Sequence, residues 1–109
     1  FGTLMENAVF IENLRKGFRA NLDLFYHKTR TGKKIDFLIK SGINTVQLIQ
    51  VCYSIDKLET REREIKALIE GGEELSCSDL IIITWDHEEL YKFKGKEIKF
   101  IPLWKWLLK

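Results

Sequence analysis

The chain reads as an α/β domain with the element order α-β-β-β-α-β, followed by a C-terminal β-hairpin and a short last helix. Three observations predict this. Two runs, residues 22–27 and 35–40, alternate at period two, the mark of strands with one covered face. Leu80-Ile81-Ile82-Ile83 is an unbroken, β-branched apolar run, as expected for a strand covered on both faces. Between these segments, residues 60–70 carry apolar side chains at helical spacing.

Taken in order, Thr3-Leu4-Met5-Glu6 has the form of a capping box, in which Thr3 caps a backbone N–H and Glu6 reaches back to start a helix. Leu4, Ala8, Ile11 and Leu14 continue it at helical spacing, and Gly17 is placed to end it. Leu22, Leu24 and Tyr26 then alternate with Asp23, Phe25 and His27 as a first strand. Arg30-Thr31-Gly32-Lys33 makes a polar turn, and Ile35, Phe37 and Ile39 mark a second strand paired with the first. After the turn Ser41-Gly42-Ile43-Asn44, residues 45–53 form a third strand whose two apolar faces place it inside the sheet.

Thr60 is the expected N-cap of a second helix reaching about Glu70, with Ile65, Leu68 and Ile69 as its buried stripe and Gly71-Gly72 as its stop. Arg61, Glu62, Arg63, Glu64 and Lys66 read as its solvated face. Residues 79–85 form the fourth strand, and the helix before it serves as the crossover between two parallel strands, so the sheet is mixed. Residues 90–93 and 97–101 flank Lys94-Gly95-Lys96 as a hairpin, and Pro102 opens a helix over 103–108. That last stretch, Trp104-Lys105-Trp106-Leu107-Leu108, is too apolar for a free end and is expected to pack on the sheet or on a partner.

Composition narrows the function classes. The 109 residues suffice for one domain, and 45% apolar with 31% charged residues is a globular balance. A net charge of +2, from 18 basic and 16 acidic side chains, is too weak a bias to point by itself to nucleic acid. Cys52 and Cys77 sit apart, in no metal-ligand spacing, and read as buried thiols in a reducing cytoplasm. No apolar run is long enough to cross a bilayer, so no membrane partner is expected. The chain starts at Phe1 rather than Met, which fits a piece of a longer protein. No GxxxxGK[ST] occurs, so this segment does not hydrolyse ATP by that route.

Five local stretches carry a family resemblance, and they occur in the same order along nearly the whole chain. They are residues 4–10 (LMENAVF), 31–37 (TGKKIDF), 48–53 (LIQVCY), 83–86 (ITWD) and 101–108 (IPLWKWLL). Together the chain resembles the PD-(D/E)XK nuclease-like domain found at the C-terminal end of many archaeal and bacterial AAA-type ATPases. That resemblance implies a restriction-endonuclease-like αβββαβ core, and an ATPase module in the same chain, with DNA or a protein surface as the contact. It also implies a site with an acid on the second strand, an acid-x-Lys triplet on the third and a Glu on the first helix. Carried over one by one, these positions are Asp36, the triplet Gln50-Val51-Cys52, and Glu6.

In such a site carboxylates hold Mg²⁺, a hard ion preferring oxygen ligands, while the Lys orients water or neutralises charge on the phosphate. Here Asp36 and Gln50 are the expected metal ligands, but Gln50 offers only a neutral amide oxygen and Cys52 stands where the Lys would be. Lys34 and Lys40 are near Asp36 in sequence; Lys40 points to the same strand face and could stand in for the missing Lys, but it lies four residues along, roughly 13 Å at strand rise. The expectation is a degenerate accessory domain that needs no Mg²⁺. Its rivals are an active Mg²⁺-dependent DNA endonuclease using Asp36, Gln50 and Glu6, and a purely structural module that mediates protein interaction or oligomer formation.

Overall fold

A computed structural model describes residues 1–108. Three helices and six strands follow in the order α1 (Gly2–Arg15), β1 (Leu24–Lys28), β2 (Lys34–Ser41), β3 (Asn44–Val51), α2 (Leu58–Leu75), β4 (Leu80–Thr84), β5 (Glu89–Phe93), β6 (Lys96–Pro102) and α3 (Leu103–Leu107). The strands form one mixed sheet in the order β1-β2-β3-β4-β6-β5. β1, β2 and β3 form an antiparallel meander, β3 lies parallel to β4 across α2, β4 lies parallel to β6, and β5 closes the sheet as an antiparallel edge. The last hairpin turns through Lys94 and Gly95, both at positive φ (49° and 80°), the pair of left-handed residues a two-residue turn between twisted strands requires.

Strand alternation sorts the core into two halves. Leu48, Leu80 and Ile82 pack with Ile98 and Phe100 under Ile65 and Leu68 of α2. Ile49, Ile81 and Ile83 face the other way, under Met5 and Val9 of α1 and Trp106 of α3. All five residues of β4 are buried, as its continuous apolar sequence requires for a central strand.

Helix α2 runs five residues past its expected end, because Gly71 and Gly72 are packing residues rather than stops. A Cβ on Gly71 would sit 2.2 Å from Cδ1 of Ile35, and one on Gly72 would sit 2.7 Å from the carbonyl oxygen of Cys77. The two glycines let the helix lie against β2 and let the chain turn back at once, with Cys77 N–H donating to the Gly72 carbonyl at 2.9 Å. Ser76, in the left-handed conformation, terminates the helix instead. The β1–β2 turn is tied to this helix by the hydroxyls of Thr29 and Thr31, which donate to Glu70 at 2.6 and 2.7 Å. Arg61 is no part of a solvated face either, since its guanidinium forks onto Glu89 of β5 at 2.9 and 2.7 Å.

At α1 the outcome departs from the expectation most. Thr3 makes no cap, Phe1 is the N-cap residue, and the helix starts earlier than a capping box at Thr3 would set it. The buried stripe is Met5, Val9 and Asn13, whereas Leu4, Ile11 and Leu14 face outward. The helix carries apolar residues on both sides, so periodicity alone does not decide which side meets the sheet. Asn13 is 1% exposed, and among the described residues its Nδ2 has no hydrogen-bond partner. A buried unmet donor costs about 1–3 kcal/mol, so Asn13→Leu is expected to raise stability by about 1 kcal/mol in urea unfolding. A stability equal to or below that of the native chain would show that the amide is paired in solution.

Candidate functional site

β2 and β3 pair from Ser41/Asn44 to Phe37/Ile49, with one register shift between Ile39 and Lys40, and there the ladder stops. β3 continues beside β4, with Gln50 opposite Ile82 and Val51 opposite Ile83, while β2 bends away. Backbone groups left by that fork need partners, and side chains supply them. The amide N–H of Asp36 donates to Oε1 of Gln50 at 2.8 Å. Nε2 of Gln50 donates to the carbonyl oxygen of Lys34 at 2.9 Å. The N–H of Val51 donates to Oδ2 of Asp36 at 2.8 Å. Gln50 and Asp36 thus stitch the two strands together where the backbone no longer does.

The strand neighbourhood expected from the sequence holds, and so does part of the convergence. Asp36 and Glu6 line one open cleft of about 440 Å³, with Asn7 and Phe10 of α1, Tyr26 of β1, and Lys34 and Phe37 of β2. Gln50 does not join them at the surface, being 1% exposed behind Asp36. Lys40 is not the companion cation. An irregularity between Ile39 and Lys40 shifts the strand register, and the Lys40 ammonium sits 5.4 Å from the ring centre of Phe25. Lys34 takes that place, with Nζ 3.6 Å from Oδ1 of Asp36. Two residues apart on one strand, Lys34 and Asp36 share a face, and Lys34 has the same strand parity as Lys40 while lying closer in sequence.

Glu64 is the residue that sequence reasoning missed. It lies in the charged stretch of α2 that reads as solvated, yet its side chain is only 15% exposed. Burial, with the Asp36 carboxylate nearby, pushes its carboxyl up to about 7, against the pull of Arg63. Burial also raises Asp36, in spite of the Val51 N–H and the Lys34 ammonium that favour its charged form. Glu6 is raised too, first by burial and then by Asp36. The three carboxylates and the two cations Lys34 and Arg63 therefore share one partly desolvated field. The sequence signal for Glu64 was the alternation Arg61-Glu62-Arg63-Glu64, but it gives no hint of which member turns inward.

Cys52 follows on the same strand. It is buried, its Sγ lies 3.1 Å from the carbonyl oxygen of Ser54, and burial followed by the Glu64 charge pushes its thiol up to about 11. It is a neutral core residue at neutral pH, unable to act as a cation or a thiolate nucleophile.

These residues do not fit a Mg²⁺ centre. One oxygen of Asp36 is held by the Val51 N–H and the other faces the Lys34 ammonium, and the single amide oxygen of Gln50 is held by the Asp36 N–H. Among the described residues no three His, Cys, Asp or Glu side chains are grouped to hold a metal ion. The larger groove, about 690 Å³ between α2 and β5 and floored by Ile65, Ile69, Tyr91 and Phe93, lies apart from this cluster and includes none of the expected site residues.

Comparison with known proteins places the geometry in a family. A family model described as a domain of unknown function (DUF4143) matches residues 1–106. An uncharacterized protein of Methanocaldococcus jannaschii, MJ1544, is 42% identical over 113 residues, covering 98% of this chain and 25% of the relative. The chain thus spans about a quarter of the length of the curated relative it matches. No solved structure matches it. Among the described residues no helix is long and apolar enough to cross a membrane.

Proposed function

The chain belongs to the DUF4143 family, a domain of unknown function, and from that premise we propose that it is a nuclease-like accessory domain, catalytically degenerate, that works by protein contact within a longer AAA-type ATPase chain in the cytoplasm. The restriction-endonuclease-like reading of the fold is supported by the order α1-β1-β2-β3-α2-β4 and by the fork between β2 and β3 at Asp36 and Gln50. The longer chain is supported by the matched relative, of which this segment covers 25%.

The single observation that carries the loss of catalysis is the amide of Gln50. Where the resemblance expects a metal-binding acid, its oxygen and its nitrogen are both committed to the backbone of β2. Cys52, at the position of the motif Lys, adds no charge. A structural stitch has replaced a ligand set.

The test is nicking of supercoiled plasmid with Mg²⁺ or Mn²⁺, comparing the native chain with Asp36→Ala. No metal-dependent nicking is expected from either. Cutting by the native chain that Asp36→Ala abolishes would establish the endonuclease instead. Protein contact is favoured over DNA contact by the outward apolar residues of α1 and α3, which offer phosphates nothing.

A further inference from the structure

Helix α1 is apolar on both sides. Met5 and Val9 face the sheet, and at 100° per residue Leu4, Ile11 and Leu14 fall on the opposite side, 67%, 55% and 40% exposed. Helix α3 repeats the pattern beside it. Leu103 and Trp106 are buried in the same core half, while Trp104, Leu107 and Leu108 are exposed. The Lys16 ammonium lies 4.0 Å from the Trp106 ring centre, so the end of α1 adjoins α3 and the two helices form one layer. A layer that shows six large apolar side chains to water is a surface built to be covered.

We infer that the outer face of the α1–α3 layer is the seat of the remainder of the full-length chain, an apolar surface in the region corresponding to what the relative carries beyond its matched 25%. The inference deepens the proposed function and rests on its premise of a longer chain, not on its claim of lost catalysis. A tethered partner decides the choice of occupant. A segment in the same polypeptide meets this face at an effective concentration on the order of millimolar, above what a second copy of the protein reaches in solution. Once the face is covered, α1 becomes a helix buried on two sides, which is what its sequence describes.

The experiment places the photo-crosslinking residue p-benzoylphenylalanine at Ile11, and separately at Trp104, in the full-length gene product. A control places it at Ile43, 92% exposed in the β2–β3 turn. After irradiation, peptide mass spectrometry is expected to find adducts from Ile11 and Trp104 to residues of the same polypeptide outside these 109, and at least tenfold fewer from Ile43. Adducts to a second copy would overturn the inference, as would equal yields at all three positions or a gene product that consists of these 109 residues alone. In the same protein Ile11→Asp leaves the inward stripe intact. It is expected to speed proteolysis between the segment and the remainder of the chain by about tenfold, and an unchanged rate would also count against the docking. Plasmid nicking reads the catalytic question separately, so metal-dependent cutting would refute the degenerate site and leave the adducts as they are.

Discussion

Replacing Gln50 by Leu is expected to destabilise the domain by about 3 kcal/mol, because the change strands two backbone groups at once. In the native chain the Asp36 N–H and the Lys34 carbonyl have no strand partner at the β2–β3 fork and depend on the two ends of one amide. Leucine fills similar space and meets neither. At a urea dependence of about 1.5 kcal/mol per molar, the unfolding midpoint drops by about 2 M. Gln50→Glu, which sets an acid where the proposed nuclease-like reading expects one, is the more telling change. One carboxylate oxygen still accepts from Asp36, but the other faces the Lys34 carbonyl, where a donor stood, in the field of Asp36 itself. The variant is expected to be destabilised at neutral pH, to recover at pH 4 where a protonated Glu can again donate, and to nick no plasmid. A Leu variant as stable as the native chain would show that the fork holds without the amide. A Glu variant that cuts DNA would show that the site is one substitution from activity and not built over.

The second large effect lies in pH. The Glu64 carboxyl stands at about 7 in the folded chain against 4.5 for the free side chain, so between these values the folded state keeps a proton that the unfolded state has released. Stability therefore falls as pH rises through that window, since raising the pH favours whichever state binds fewer protons. The side chain is 15% exposed. Each tenfold difference in proton affinity between the two states is worth roughly 1.4 kcal/mol, and with relaxation of the site the accumulated loss amounts to about 2 kcal/mol by pH 8. Asp36, raised in the same sense, adds to it. Glu89 works the other way. Its carboxyl is held at about 2 by the Arg61 fork and by His87, so its contribution is present above the ordinary carboxyl value of 4.5 and is lost as pH falls from there toward 2. Glu64→Gln removes the first effect and leaves the others. Urea unfolding from pH 4 to 8 is expected to show the variant level with the native chain at pH 4 and about 2 kcal/mol more stable at pH 8. Parallel profiles across the whole range would place Glu64 in water.

Residues 79–85 were readable because a central strand leaves a one-dimensional trace, an apolar run too short for a helix and bounded by polar residues. The hairpin at Lys94-Gly95 was readable because its turn needs particular residues. Gly71 and Gly72 misled, since a glycine that stops a helix and one that lets it approach a strand look alike until Ile35 and Cys77 are seen beside them. Asp36 and Glu6 line one cleft, while Gln50 lies buried behind it, a placement that the alternation of β3 alone does not reveal.

The sequence by itself determined the order of the elements, the burial of β4 and the presence of a lone strand acid followed by an amide and a thiol, because propensity, period and residue chemistry act over a few positions. Only the tertiary structure decided which side of α1 meets the sheet, that Lys34 and not Lys40 stands beside Asp36, that Glu64 turns inward, and that both ends of Gln50 close on β2. Each of these depends on how a particular strand bends or a helix lies against its neighbours, and burial by such neighbours sets the cost of a charge or an unpaired polar atom.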